Sequence, residues 1–357
     1  MTSLISRFPA LATTSLVLPL PVTMEDLVFL NRVSSLRKLS LSSRQGPRPK
    51  YPRIESYLGQ YSKEEGKATV ADMDLAGHGR VIFHIVAFLS SPSLRSIACK
   101  ILRQDDSTDD CAYIVPYVLH RLSHTAPELR EIHFERLEPE PKTEYIQWYE
   151  NNGFLQPPDA YIQDLARLRN LTGLCFKYIP FLDRSFSVQL VAQLPNFPHL
   201  KTLCLLPLPG SQATRHKLEL PTLECLQTLS STNLALQHVT ISLDMSVIPS
   251  NIPDLSLPGH ALEELFIQPY YCNLQLSVST LVTLSTYLDH LFPRISDITS
   301  FFEEAAEDGP CSASPRIAMA AALALPLWED VAHMMNSYQV LREKVDTLVR
   351  TSMCVEH

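Results

Sequence analysis

The sequence predicts an α/β chain built as a file of short parallel strands, each returning to the next through a helix, with a helical cap at the C-terminal end. Three observations carry the prediction. An apolar residue, two variable positions, a second apolar residue, one variable position and a third apolar residue recur together along the chain. Between the copies, apolar residues step by three and four, as on one face of a helix. Prolines gather where those stretches give way to the next copy. The 357 residues hold 27 Pro against 10 Gly, which suits rigid turns better than flexible hinges.

The copies run in order. "FPALATTSL" is a degenerate first one, with Thr14 in the second apolar slot. "SSLRKLSL" supplies Leu36, Leu39 and Leu41, and "PSLRSIAC" supplies Leu94, Ile97 and Cys99. "PELREIHF" gives Leu129, Ile132 and Phe134, and "RNLTGLCF" gives Leu171, Leu174 and Phe176. "FPHLKTLCL" follows with Leu200, Leu203 and Leu205, then "LALQHVTI" with Leu236, Val239 and Ile241. "HALEELFI" carries Leu262, Leu265 and Ile267, and "FPRISDI" near Ile295 makes a last copy. The final two apolar positions differ by two, so they share one face of a short strand. The first sits in the turn leading into that strand and plugs the same core.

The segments between copies read as helices. Ile114, Val118 and Leu122 form one stripe, Val188, Val191 and Leu194 another, and Leu281, Leu284, Leu288 and Leu291 a third. Parallel strands need such crossovers. Intervals between copies run from about 25 to about 40 residues, with one of nearly 60. Leucine-rich repeats run roughly 20–29, so the reading is an irregular leucine-rich-repeat solenoid, with strands on the concave face and helices outside. An ordinary α/β domain with leucine-rich strands is the other reading that the spacing leaves open.

This organisation assigns residues 1–43 to the first repeats and 44–80, charged and turn-rich, to a loop or insertion. The repeat region spans 81–300 with an insertion near 138–160, followed by a linker over 301–316 and a helical cap over 317–357. The cap's stripe is Trp328, Val331, Met335, Tyr338, Leu341, Val345 and Leu348. It would close the open end of the array or, on a second reading, pair as a coiled coil.

Composition narrows the function. A net charge of −8 argues against a general nucleic-acid or anionic-membrane binder. The longest apolar run, Ile317 to Trp328, is too short to span a bilayer. Eight scattered cysteines without a C-x-x-C pair point to thiols in a reducing compartment, cytoplasmic or nuclear. The N-terminal stretch lacks a clean signal-peptide cleavage site.

No nucleophile elbow, phosphate loop, dinucleotide fingerprint or paired-cysteine zinc motif occurs. His120 and His124 lie four apart on a predicted helix, as in a zinc protease, but Arg121 stands where the general-base Glu is required. They read as ordinary helix histidines. The expectation is therefore a non-enzyme with no cofactor and no metal. An α/β enzyme whose catalytic residues escape these patterns is the rival class.

What remains is surface. The variable residue between the last two apolar positions should face the concave side: Ser40, Ala98, His133, Cys175, Cys204, Thr240 and Phe266. The variable residue just before them should flank it: Lys38, Ser96, Glu131, Gly173, Thr202, His238 and Glu264. The strip so predicted is small and uncharged at its centre, with ionisable side chains toward its edges. Such a shallow strip suits another protein or a peptide better than a small molecule.

The copies "FPHLKTLCL", "HALEELFI" and "LDHLFPRISDI", with the late helix "LWEDVAHMMNSYQVLREKV", resemble the repeat region of fungal F-box leucine-rich-repeat-like proteins. The resemblance implies a protein-binding scaffold, the substrate-recognition part of a ubiquitin ligase whose F-box docks the ligase adaptor. The sequence carries no "LP-x-E-x-x-x-x-I" opening. The resemblance thus reaches the repeats and leaves the adaptor as a partner open.

Overall fold

The computed structural model describes residues 14–16, 27, 30, 31, 33, 36–42, 69–102, 111–136, 158–179, 186–207, 219–249, 260–269, 277–298 and 315–355. They fall into two compact units, Met1–Phe186 with Pro207–Thr214, and Ser187–Leu206 with Arg215–His357.

The first unit carries β1 (Thr14–Leu16), β2 (Lys38–Ser42), β3 (Asp72–His78), β4 (Ser96–Leu102), β5 (Glu131–Arg136) and β6 (Gly173–Ile179). Each strand pairs with the next in sequence, always parallel. Helix α1 (Gly79–Leu89) follows β3, α2 (Cys111–Thr125) follows β4 and α3 (Pro158–Arg167) follows β5. Helix α4 (Phe186–Gln193) leads into the second unit. There β7 (Thr202–Pro207), α5 (Cys225–Thr232), β8 (His238–Leu243), β9 (Glu264–Pro269), α6 (Val278–Leu291) and α7 (Pro315–Val355) follow in turn. Strands β7, β8 and β9 are again parallel neighbours in sequence order.

The apolar spacing explains how each strand forms. All three apolar residues of the copies from Leu36 to Ile267 are buried. In six of these seven copies the first sits in a turn, where its amide donates to the carbonyl three residues back; in the last, Leu262 donates to His260 Nδ1 at 3.1 Å. Leu94 donates to Ser91, Leu129 to Ala126, Leu200 to Phe197 and Leu236 to Asn233, at 3.0–3.1 Å. Those upstream residues are buried too, Ala126 and Phe197 as apolar and Ser91 and Asn233 as polar side chains, so the repeat extends one buried slot further than its three-residue signature.

The strands are stitched by a second recurring contact. In the first unit the carbonyls of Arg37, Ala71, Arg95 and Arg130, each just before a strand, accept two successive amides from the next copy, at 2.7–3.1 Å. In the second unit Lys201, Gln237 and Glu263 do the same at 2.8–3.2 Å. The "FPRISDI" copy receives this contact at Ser296 and Asp297, but it contributes a single bridge to Glu264 rather than a strand.

Three of the expected boundaries are corrected. Strand β3 and the start of α1 occupy the end of the span 44–80 that the sequence assigns to a loop. Val70, Met73 and Leu75 follow the repeat spacing and are buried. Asp72 and Asp74 between them disguise the copy as a charged turn. The insertion expected near 138–160 ends early, because α3 begins at Pro158, and the linker of 301–316 ends at Pro315 where α7 begins. The remainder of both spans lies outside the described residues.

Helix α7 packs on α6. Trp328, Val331 and Met335 are buried, Gln339 donates to the Ile295 carbonyl at 2.9 Å, and Arg342 pairs with Asp289. The predicted stripe is covered only over this first half. Leu341, Val345 and Leu348 are 55–70% exposed, so the covering contact stops near Arg342. No described helix is long and apolar enough to cross a membrane.

Candidate functional site

Residues between the buried positions of a strand must project to the sheet's other face. In the first unit, pairing aligns them in three rows. Lys38, Asp72, Ser96, Glu131 and Gly173 form one row, and Ser40, Asp74, Ala98, His133 and Cys175 form the next. Ser42, Ala76, Lys100, Glu135 and Lys177 form the third. The second unit has Thr202, His238 and Glu264 in one row and Cys204, Thr240 and Phe266 in another. The structure therefore brings the eight sequence-predicted residues of the first unit onto one face, and likewise the six of the second.

Most of these side chains are half-buried, and Lys38, Asp74, Glu131 and Thr202 are exposed. Phe266 is the exception. At 8% exposure it is part of the buried set, because a ring this large packs against its neighbours instead of standing clear.

The predicted uncharged centre is also corrected. Asp74, from the unrecognised strand β3, stands in the middle row. The third row brings in Lys100, Glu135 and Lys177, which follow the last apolar slot of the spacing and so lie outside the two predicted columns. Glu135 joins several of these groups. One carboxylate oxygen lies 3.3 Å from Lys177 Nζ and the other 3.5 Å from His133 Nε2. His133 Nε2 lies 4.0 Å from Cys175 Sγ.

Contact with Cys175, and after it with Glu135, pushes His133 up to about 9 against the opposing effect of burial. Glu135 is held down at about 2, first by His133, with burial opposing and Lys177 adding to the depression. In the row beside them, Ser96 Oγ donates to Glu131 at 3.1 Å. In the second unit His238 Nδ1 meets Glu264 at 2.8 Å, and Ser242 Oγ donates to Gln268 at 2.9 Å. Cys175 and Glu135 both meet the same ring nitrogen, Nε2 of His133, so among the described residues these groups form local polar contacts and not a relay with a nucleophile on one ring nitrogen and an orienting carboxylate on the other.

A second cluster lies on the helices of the first unit. His120 and His124 share a face of α2, and α3 brings Asp164 beside them. His120 Nδ1 is 3.1 Å from Asp164 Oδ2, and the two imidazole centroids are 4.5 Å apart. Asp164 is buried while both histidines are exposed. Ser123 Oγ donates to Asp164 Oδ1 at 3.0 Å. Arg167 reaches from the end of α3, with one terminal nitrogen 2.7 Å from His124 Nε2 and 3.4 Å from Asp164 Oδ1. Arg121, the residue that spoils the protease motif, donates to the Ala87 carbonyl on α1 at 3.2 Å. The histidine spacing was legible in the sequence. Its carboxylate partner was not, because it comes from a helix some forty residues on.

No family model and no curated protein matches the chain.

Proposed function

We propose that this chain is a non-enzymatic protein-interaction scaffold, an irregular leucine-rich-repeat solenoid that receives a protein or peptide on the open face of its sheet. The observation that carries the reading is the alignment of partly exposed polar residues in rows along that face of the first unit. Rows of fixed spacing present side chains along a line, which matches an extended or helical segment of another protein. Opposite charges alternate in them, as at Lys100, Glu135 and Lys177, and give such a partner a register. The buried layer on the other side of each strand supplies the rigidity.

Recruitment of a ubiquitin-ligase adaptor, and with it a role in presenting substrates, rests on the likeness of the repeats alone. The α/β enzyme remains the rival.

The test compares captured partners of the wild-type chain with those of Glu131→Lys/Glu135→Lys, which reverses charge on the face. A Glu343→Lys control does so on the exposed part of α7. A partner retained by wild type and control but lost by the face variant is the expected result, and ligase subunits among those retained would support the ligase branch. Identical partner sets for all three would overturn the assignment to this face.

A further inference from the structure

We propose that His120, His124 and Asp164 form a binding site for a divalent transition metal of the zinc class. This site is separate from the sheet face and independent of the scaffold reading.

The donor set is the first argument. Two imidazoles and one carboxylate match the nitrogen and oxygen preferences of zinc, and three protein ligands leave a fourth position for water. Their placement is the second. The three donor atoms lie within 4.8 Å of one another. A tetrahedral zinc shell, with bonds of about 2.0–2.1 Å, sets its donors about 3.3–3.4 Å apart. The His120–Asp164 separation of 3.1 Å already approximates that edge. The remaining closure falls to His124, an exposed side chain at the end of α2, whose Nε2 must give up its 2.7 Å contact with Arg167 to turn toward the other two donors.

The surroundings also orient the ligands as metal sites require. The single Ser123 hydroxyl proton is shared between the His120 carbonyl at 2.8 Å and Asp164 Oδ1 at 3.0 Å, and the other carboxylate oxygen, Oδ2, faces His120. His124 Nδ1 lies 2.8 Å from the His120 carbonyl. That carbonyl can only accept, so the proton sits on Nδ1 and Nε2 presents a lone pair. The Arg167 guanidinium now donates to that lone pair and to Asp164, a cation placed where this geometry favours positive charge. Its side chain is 53% exposed, so it is free to swing into water when a metal takes its place. Arg167 is therefore a competitor of the metal.

The experiment titrates zinc chloride into the untagged 357-residue chain and follows binding by calorimetry. The absorption of bound cobalt(II) reports the coordination geometry. Wild type should bind one equivalent with a tetrahedral cobalt spectrum. His124→Ala should weaken binding at least tenfold and abolish that spectrum, while Arg167→Gln should tighten binding several-fold. His333→Ala, an exposed histidine on α7, should change nothing. Melting curves in chelator establish that each variant is folded. Absence of a saturable single zinc equivalent, or equal affinity in His124→Ala and wild type, overturns the site. Weaker binding in Arg167→Gln overturns the competitor role.

Discussion

Leu203 and Thr202 are adjacent in β7, yet the repeat register gives them opposite fates. Leu203 is fully buried, as is its partner Val239 across the ladder, whereas Thr202 is exposed. Leu203→Ala removes three side-chain carbons, worth about 2.4 kcal/mol at roughly 0.8 kcal/mol per buried methylene. The cavity left between strands held by their ladders raises the loss to about 3–4 kcal/mol, inside the span of roughly 2–5 kcal/mol for buried leucines. Thr202→Ala forfeits only strand propensity, on the order of a few tenths of a kcal/mol. The assay is urea unfolding read by Trp328 fluorescence. The chain has two tryptophans, so a Trp148→Phe background makes Trp328, buried in the second unit, the sole reporter. With a slope near 2 kcal/mol per molar urea, Leu203→Ala should lower the midpoint by about 1.5–2 M and leave the slope unchanged. Equal shifts for the two variants would refute the register from which the whole repeat alignment follows.

Deleting residues from Trp328 onward strips α6 of the cover given by Trp328, Val331 and Met335. The truncated chain should aggregate by light scattering, and a monomer with an unchanged melting curve would contradict the packing. Asn233 is buried and donates to the carbonyls of Leu194 and Phe197 at 2.9 and 3.3 Å. Asn233→Ala should cost about 1–3 kcal/mol in chemical unfolding. Glu135, held down at about 2, stabilises the fold above its ordinary carboxylate value of about 4.3, and that contribution disappears as pH falls toward 2. Melting temperature against pH should therefore have a flatter acid limb in Glu135→Gln. His133, raised to about 9, acts in the opposite sense. Its contribution is complete below about 6.5 and fades as pH climbs through 9, so His133→Gln should flatten the alkaline limb between those values.

Parallel strands in sequence order were legible because burial imposes period two on a strand and the preceding turn adds one more plug at a fixed distance. Leu94, Leu129, Leu171, Leu200 and Leu236 fill that slot, and all are buried. Strand β3 was hidden by Asp72 and Asp74. Both alternate with apolar residues and stand on the face opposite the buried layer, Asp72 half-buried and Asp74 exposed. Val70, Met73 and Leu75 by themselves keep the repeat spacing and are buried. Phe266 shows the converse limit, since spacing tells which way a side chain points but not whether it finds cover. The cluster around Asp164 was illegible for a different reason. His120 and His124 declare themselves by helical spacing, while the carboxylate arrives through packing of α3 on α2, which no local pattern encodes.

The paired amides accepted by Arg37, Ala71, Arg95 and Arg130 in one unit, and by Lys201, Gln237 and Glu263 in the other, involve main-chain atoms alone. Stride from one copy to the next is thus indifferent to which side chain stands at the acceptor, be it arginine, alanine or glutamate. The outward residues are accordingly at liberty to diverge without disturbing the pitch, and connections of unequal length can be inserted behind the strands at little cost in register. Gain or loss of a whole strand–helix copy would widen or narrow the row by one column and leave the others in place. On the scaffold reading proposed above, a molecule of this design would acquire new specificities by editing columns one at a time.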